Sequence, residues 1–165
     1  MALLVRTDAQ LRRTVVGRVP VGPHIPYVHD FSVTASGKAI LILPPIRITD
    51  VGDLTRGPFF EGLKWMADEL ATQVYVFDLS TPNTEPVATY NLPPLFTYHH
   101  VNAFDRPDGG VTVDVCGYSS PDIITGAHAF CYLSNMQDPA TRSKQVSSGG
   151  RGAKGGELGE GGAAG

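Results

Sequence analysis

Cysteine is scarce in this chain: Cys116 and Cys131 are the two in 165 residues. They make neither a disulfide framework nor a CxxC metal pair, and they suit a reducing compartment. Positive charge is not in excess either. Thirteen Lys and Arg stand against sixteen Asp and Glu, a net charge of -3, which argues against a nucleic-acid partner. Long apolar runs are missing. The longest, Ala39 to Leu43, is the size of one strand and far short of a membrane span. The opening Met1-Ala2-Leu3-Leu4-Val5 turns polar too soon for a secretory signal. There is no HExxH, no GxSxG nucleophile elbow and no Gly-rich phosphate loop. What is left, 42% hydrophobic and 18% charged, is ordinary for a globular chain of one domain in the soluble interior of a cell or organelle.

The periodicity is mostly that of strands. Arg13 to Val19 alternates, and Pro20, Gly22, Pro23 and Pro26 interrupt it; residues 1 to 12 give only an undetermined lead-in. Tyr27 to Thr34, the turn signal Ala35-Ser36-Gly37-Lys38 and the strand pattern Lys38 to Leu43 predict a hairpin over 27–43, stopped by Pro44-Pro45. Thr49 to Gly57 is loop-like. Phe59, Leu63, Met66 and Leu70 fall at helical spacing and predict a helix over 59–70, with Trp65 and Met66 as packing residues and Glu61, Asp68 and Glu69 on its solvated face. Gln73 to Leu79 predicts a strand, with a short partner at Val87 to Tyr90. Leu95 to Phe104 and Val111 to Tyr118 predict a second hairpin around Arg106-Pro107-Asp108-Gly109-Gly110. Asp122 to Met136 fits loop or helix equally. Residues 145–165 are Gly-rich and almost without apolar side chains, an expected disordered or artefactual tail. The fold class is therefore all-β with one short helix, its hairpins suggesting four-stranded antiparallel units.

The five histidines are His24, His29, His99, His100 and His128. In a strand of period two, His29 shares a face with Phe31 and Val33, opposite Val28, Asp30, Ser32 and Thr34. An imidazole on an apolar face needs a hydrogen-bond partner or a metal, since burial without one costs about 2–7 kcal/mol. Of the neighbours His99 and His100, only one can face a given centre, and alternation alone leaves open which. By itself a strand histidine is more often a core residue than a ligand.

The two histidine motifs taken together carry a resemblance. Tyr27-Val28-His29-Asp30-Phe31-x-x-Thr34, about 70 residues before His99-His100-Val101-Asn102-Ala103-Phe104-Asp105, with Gly110-Val111-x-Val113-Asp114-Val115-Cys116 close behind, resembles the carotenoid cleavage oxygenases. That family contains carotenoid and apocarotenoid dioxygenases and the retinoid isomerohydrolase. Pro44-Pro45-Ile46 and the Trp65 region also fit, and the likeness covers residues 12–144. It implies a seven-bladed β-propeller, of which this chain would form about two to three blades. It further implies one Fe(II) per complete propeller, held by four histidines, and a polyene substrate (carotenoid, apocarotenoid or retinoid) that dioxygen cleaves into two carbonyl products. His29 and His99, the latter three residues before Asn102, match two of the iron ligands; His100 is then a bystander. Cytoplasm or plastid, with peripheral membrane association, is the implied setting.

The departures define the expectation. Family members are much longer, and the other two ligands and the carboxylates that orient them have no counterpart here; His24 and His128 fit neither remaining motif. Asp105 matches a neighbouring acidic position rather than an orienting carboxylate. The alternatives left open are a non-catalytic propeller-derived binding module, in which the histidines are core residues, and isomerohydrolase chemistry, whose motifs are shared. A fragment expectation carries its own test. The purified 165-residue chain should bind iron weakly and cleave no carotenoid, and measurable retinal or apocarotenal formation would overturn that.

Overall fold

The computed structural model describes residues 1–52 and 59–125. The chain divides into two compact units, Met1–Pro121 and Asp122–Gly165. In the second, the described part is one short helix, α1 (Asp122–Thr125). The expectations for Cys131, His128 and the Gly-rich tail lie outside the described residues.

The first unit is built on a four-stranded antiparallel sheet, in the order β4 (Ser32–Val33), β5 (Lys38–Leu43), β8 (Thr72–Asp78) and β9 (Ala88–Leu92). The continuous apolar run Ala39 to Leu43 forms β5 because this strand is covered on both faces. On one side Ala39, Leu41, Leu43, Tyr75 and Phe77 pack with Val19, and with Ala2 and Leu4 at their margin. These last three come from the hairpin β1 (Ala2–Thr7) and β2 (Arg13–Val19). On the other side Ile40, Ile42 and Val76 meet Ala103, Val111, Val113 and Val115 of the hairpin β10 (Phe96–Asp105) and β11 (Val111–Tyr118). The sheet is thus the middle of three stacked layers. A smaller antiparallel sheet joins β3 (Ile25–Pro26), β6 (Ile46–Ile48) and β7 (Leu63–Trp65). All pairings are antiparallel, and no sheet closes on itself among the described residues.

Three sequence expectations are corrected. The lead-in is a full strand, β1, because Asp8 shapes the turn that follows it. One oxygen of Asp8 accepts the Gln10 and Arg12 backbone N–H groups at 2.9 Å each, and the other pairs with the Arg12 side chain at 2.8 Å. The helix over 59–70 does not form. A one-turn 3-10 helix (Phe59–Gly62) gives way to β7, whose register against β6 is Ile48↔Leu63, Arg47↔Lys64 and Ile46↔Trp65. Ladder hydrogen bonds win over spacing here, and the helical repeat survives only in one turn, where the Leu70 N–H bonds the Met66 carbonyl at 2.8 Å. That turn exposes Asp68 and Glu69, as expected.

The third correction concerns Tyr27 to Thr34. Only Ser32 and Val33 are strand, and the face assignment is inverted. Ser32 and Thr34 are 8% and 4% exposed, whereas Phe31 and Val33 are 46% and 48% exposed, and His29 is exposed with them. The polar positions turn inward because β10 offers hydrogen-bonding groups there rather than an apolar surface. Buried polar groups that find partners are stable, and the alternation then works in reverse.

Phe77 is the largest fully buried side chain in the middle sheet. Its ring approaches β2 so closely that a Cβ added to Gly17 would stand 2.9 Å from Phe77 Cε1 and 3.0 Å from Leu4 Cβ. Chemical denaturation should therefore show Phe77→Ala losing about 3–5 kcal/mol of stability, and Gly17→Ala losing about 1–3 kcal/mol by overpacking.

Candidate metal centre

Segment 27–36 lies against β10, joined to it by side chains at every second position. The Asp30 carboxylate accepts the His100 backbone N–H at 3.0 Å. The Ser32 hydroxyl lies 2.6 Å from His100 Nδ1. Thr34 and Ser36 hydroxyls donate to Asp105 Oδ1 at 2.9 and 2.6 Å, and the Ser36 N–H donates to Oδ2 at 3.0 Å. Residues 30, 32, 34 and 36 form one polar edge, the first two with His100 at the middle of β10 and the last two with Asp105 at its end. At the start of β10 the Thr72 hydroxyl donates to the Leu95 carbonyl at 3.1 Å and accepts the Leu95 N–H at 2.8 Å, which fastens this strand to β8.

Strand β10 is not regular. Its register against β11 runs Thr97↔Gly117, His100↔Val115 and Asn102↔Asp114, so it carries an extra residue on each side of His100. Bulges of this kind turn side chains away from their alternating positions. Here they send the His100 ring to Ser32 while the His99 ring meets His29. His29 and His99, about 70 residues apart in sequence, have ring centroids 5.0 Å apart at an interplanar angle of 79°. Tyr98 stacks on His29 at 4.1 Å and meets His99 edge-on at 4.8 Å. The Tyr27 hydroxyl is 3.4 Å from His29 Nδ1, and the Tyr27 ring stacks at 6.5 Å on the buried Phe96.

The electrostatics separate the histidines. Burial depresses the pKa of His100, with Asp30 acting in the opposite sense, so its imidazole is held neutral. Its Nε2 is buried and has no hydrogen-bond partner among the described residues. The Asp30 carboxyl is held below the usual carboxylate range, chiefly by the His100 N–H. Asp105 is held low as well, first by the Ser36 hydroxyl and then by the Ser36 N–H. Asp105 thus ties down the Thr34–Ser36 turn rather than orienting His99.

Imidazole nitrogens bind first-row metal ions at about 2.0–2.1 Å, so two of them side by side on one ion keep their ring centroids about 4.5–5 Å apart. The His29–His99 pair fits that separation, and two imidazoles suit ferrous iron. With the Tyr27 hydroxyl beside Nδ1, Nε2 of His29 is the nitrogen available to a metal, the arrangement common among ligating histidines. Among the described residues no group of three or more His, Cys, Asp or Glu side chains converges; the two rings stand as a pair. His24 lies elsewhere, in an open groove with Met1, Val21, Pro23 and Ile25. Sequence reasoning passed over Asp30, Ser32 and Tyr98. The signal for the first two was available as the polar series 30, 32, 34 and 36.

Two comparisons with known proteins bear on the family of the chain. Residues 3–155 match the family described as retinal pigment epithelial membrane protein. A relative from Oryza sativa subsp. japonica, carotenoid cleavage dioxygenase 8 homolog A, chloroplastic, is 29% identical over 130 residues, which are 74% of this chain and 23% of that protein. The chain therefore spans about a quarter of that relative's length.

The hydroxyl of Ser36 sets the acidity of Asp105. A carboxylate depressed in the folded state contributes stability that is present above its unfolded pKa, near 3.9, and lost as pH falls through the lower folded value. By carbon-detected NMR titration, Ser36→Ala should raise the Asp105 pKa toward the ordinary value, with the Thr34–Ser36 turn loosening at correspondingly higher pH.

Proposed function

This chain belongs to the carotenoid oxygenase family, and from that premise we propose that His29 and His99 are two of the histidine ligands of a non-haem ferrous centre. The enzyme they serve cleaves a polyene double bond of a carotenoid or apocarotenoid with dioxygen. The observation that carries this reading is the meeting of the two rings at 5.0 Å from strand segments far apart in sequence. Iron, when bound, supplies the dioxygen chemistry.

The chain's own residues prepare the place. Tyr98 fixes the plane of His29 by stacking, and the Tyr27 hydroxyl leaves Nε2 as the ligating nitrogen. The buried Phe96 packs against both Tyr27 and Tyr98 and so backs the two rings that contact His29. The same aromatic surface suits a flat conjugated chain, which favours offset stacking on aromatic rings. We take the three stacked antiparallel layers as neighbouring blades of a seven-bladed propeller, an architecture whose sheets pack face to face around an axis. Among the described residues no helix is long and apolar enough to cross a membrane; a lipid-dissolved substrate fits peripheral association instead. The chloroplastic name of the rice relative favours a plastid over the cytoplasm.

Replacing each of the adjacent histidines separates this reading from a non-catalytic binding module. In the iron-loaded enzyme, His99→Ala should lower Fe(II) affinity by more than the roughly 10–100-fold that loss of an outer partner costs, measured as metal retained after dialysis. His100→Ala should keep most of the iron, because the backbone N–H that Asp30 holds remains, and should lose about 1–3 kcal/mol of stability through the unpaired Ser32 hydroxyl. Equal iron retention in the two variants would favour the binding module.

A further inference from the structure

The His29–His99 geometry has an anchor one residue beyond each ring. Asp30 follows His29, His100 follows His99, and the bond between the Asp30 carboxylate and the His100 N–H joins the two segments at 3.0 Å. We propose that Asp30 is a positioning residue that sets the separation of the His29 and His99 rings through this single backbone contact. The inference rests on the reading of those histidines as a ligand pair and adds the device that holds them together.

Four observations carry it. First, the bulges on both sides of His100 disturb the β10–β11 ladder there, and its N–H bonds to Asp30. Second, Asp30 uses both oxygens, Oδ2 for His100 and Oδ1 for its neighbour Phe31 at 2.8 Å, which fixes the side chain's own rotation. Third, consecutive Cα atoms are about 3.8 Å apart, so each ring stands one residue from the anchored atoms and has little slack. Fourth, segment 27–31 is outside the strand. The Tyr27 N–H bonds the Ile46 carbonyl at 3.2 Å, two residues before His29, and on the far side of His29 the next tie is the Asp30 side chain. The Ser32–His100 contact at 2.6 Å stands two residues farther on and cannot by itself fix the chain at His29.

The role asks for an acceptor oxygen at Oδ2, not for a negative charge. Asp30→Asn can present its amide oxygen to His100, while the Phe31 N–H, on an exposed residue, turns to water. Asp30→Ala cannot. The test uses isotope-labelled 165-residue chain without metal and reads two quantities by NMR. One is the contact between the His29 and His99 ring protons, whose centroids lie 5.0 Å apart; the other is hydrogen exchange at the His100 amide, with the Val76 and Phe77 amides of β8 as internal reference. In Asp30→Ala the ring contact should disappear and His100 exchange should rise at least about tenfold, as expected for a lost hydrogen bond to a charged group, while β8 is unchanged. Asp30→Asn should preserve both. A retained ring contact and protected His100 in Asp30→Ala would overturn the proposal, as would an Asp30→Asn chain that behaves like Asp30→Ala. Loss of protection throughout β8 in Asp30→Ala would overturn it too, because Asp30 would then stabilise the whole fold.

Co(II) titration of the same chains tests the ligand reading separately. Affinity should fall about 10–100-fold in Asp30→Ala, as it does when a partner that orients ligands is lost, and should stay near wild type in Asp30→Asn. If the ring contact follows Asp30 as expected but wild type binds Co(II) no better than the His29→Ala/His99→Ala double variant, the ligand assignment falls and the positioning role stands.

Discussion

The site depends on one constraint: segment 30–36 meets β10 through hydrogen bonds and not through apolar packing. Apolar contacts are non-directional and tolerate sliding. The bonds from Asp30, Ser32, Thr34 and Ser36 to His100 and Asp105 span 2.6 to 3.0 Å and tolerate little, since hydrogen bonds weaken steeply with poor geometry. A slip of one residue would bring Phe31 and Val33 against these polar partners and leave them unsatisfied. The position of His29 along β10 is therefore set by polar complementarity, and its outward face follows from the same alternation.

Beneath this edge the middle sheet acts as a base. Its two central strands, β5 and β8, are apolar on both faces, so hairpins on either side press against them. Thr72, fully buried at the start of β8, fastens the residue before β10 with both backbone bonds. From there β10 runs as a ten-residue strand carrying the aromatic ring cluster and the histidines. The candidate ligands thus sit on a bulged strand and an irregular segment, both held by a rigid sheet. Functional side chains are commonly presented in this way.

Much of the fold was legible in the sequence because strong alternation met strong turns. Val111 to Tyr118 is a strand with the residue boundaries its pattern predicts, and the turn at Arg106–Gly110 closes with the expected hydrogen bonds. Misreadings arose where two signals competed. At 59–70 a helical spacing of apolar residues was overridden by pairing with β6, a contact that local spacing does not contain. At 27–34 alternation was correct and its polarity reversed, since the rule that apolar residues face inward assumes an apolar neighbour. Choosing between His99 and His100 needed the bulges, and a bulge is a matter of register between two strands. Only the likeness to a known pattern of motifs pointed to His99; the geometry gives the physical reason it and not its neighbour meets His29.

The rungs that build the site join residues 68 to 71 positions apart, whereas the β1–β2, β4–β5 and β10–β11 hairpins join near neighbours. Closing a long loop costs entropy that local pairing avoids, so distant contacts form late. The histidines therefore come together after the hairpins exist and after β8 has taken its place beside β5. The order also runs backwards. Held by a few polar rungs at the margin of the sheet, the paired rings are among the first features to part when the chain opens locally, while the apolar layers beneath remain closed.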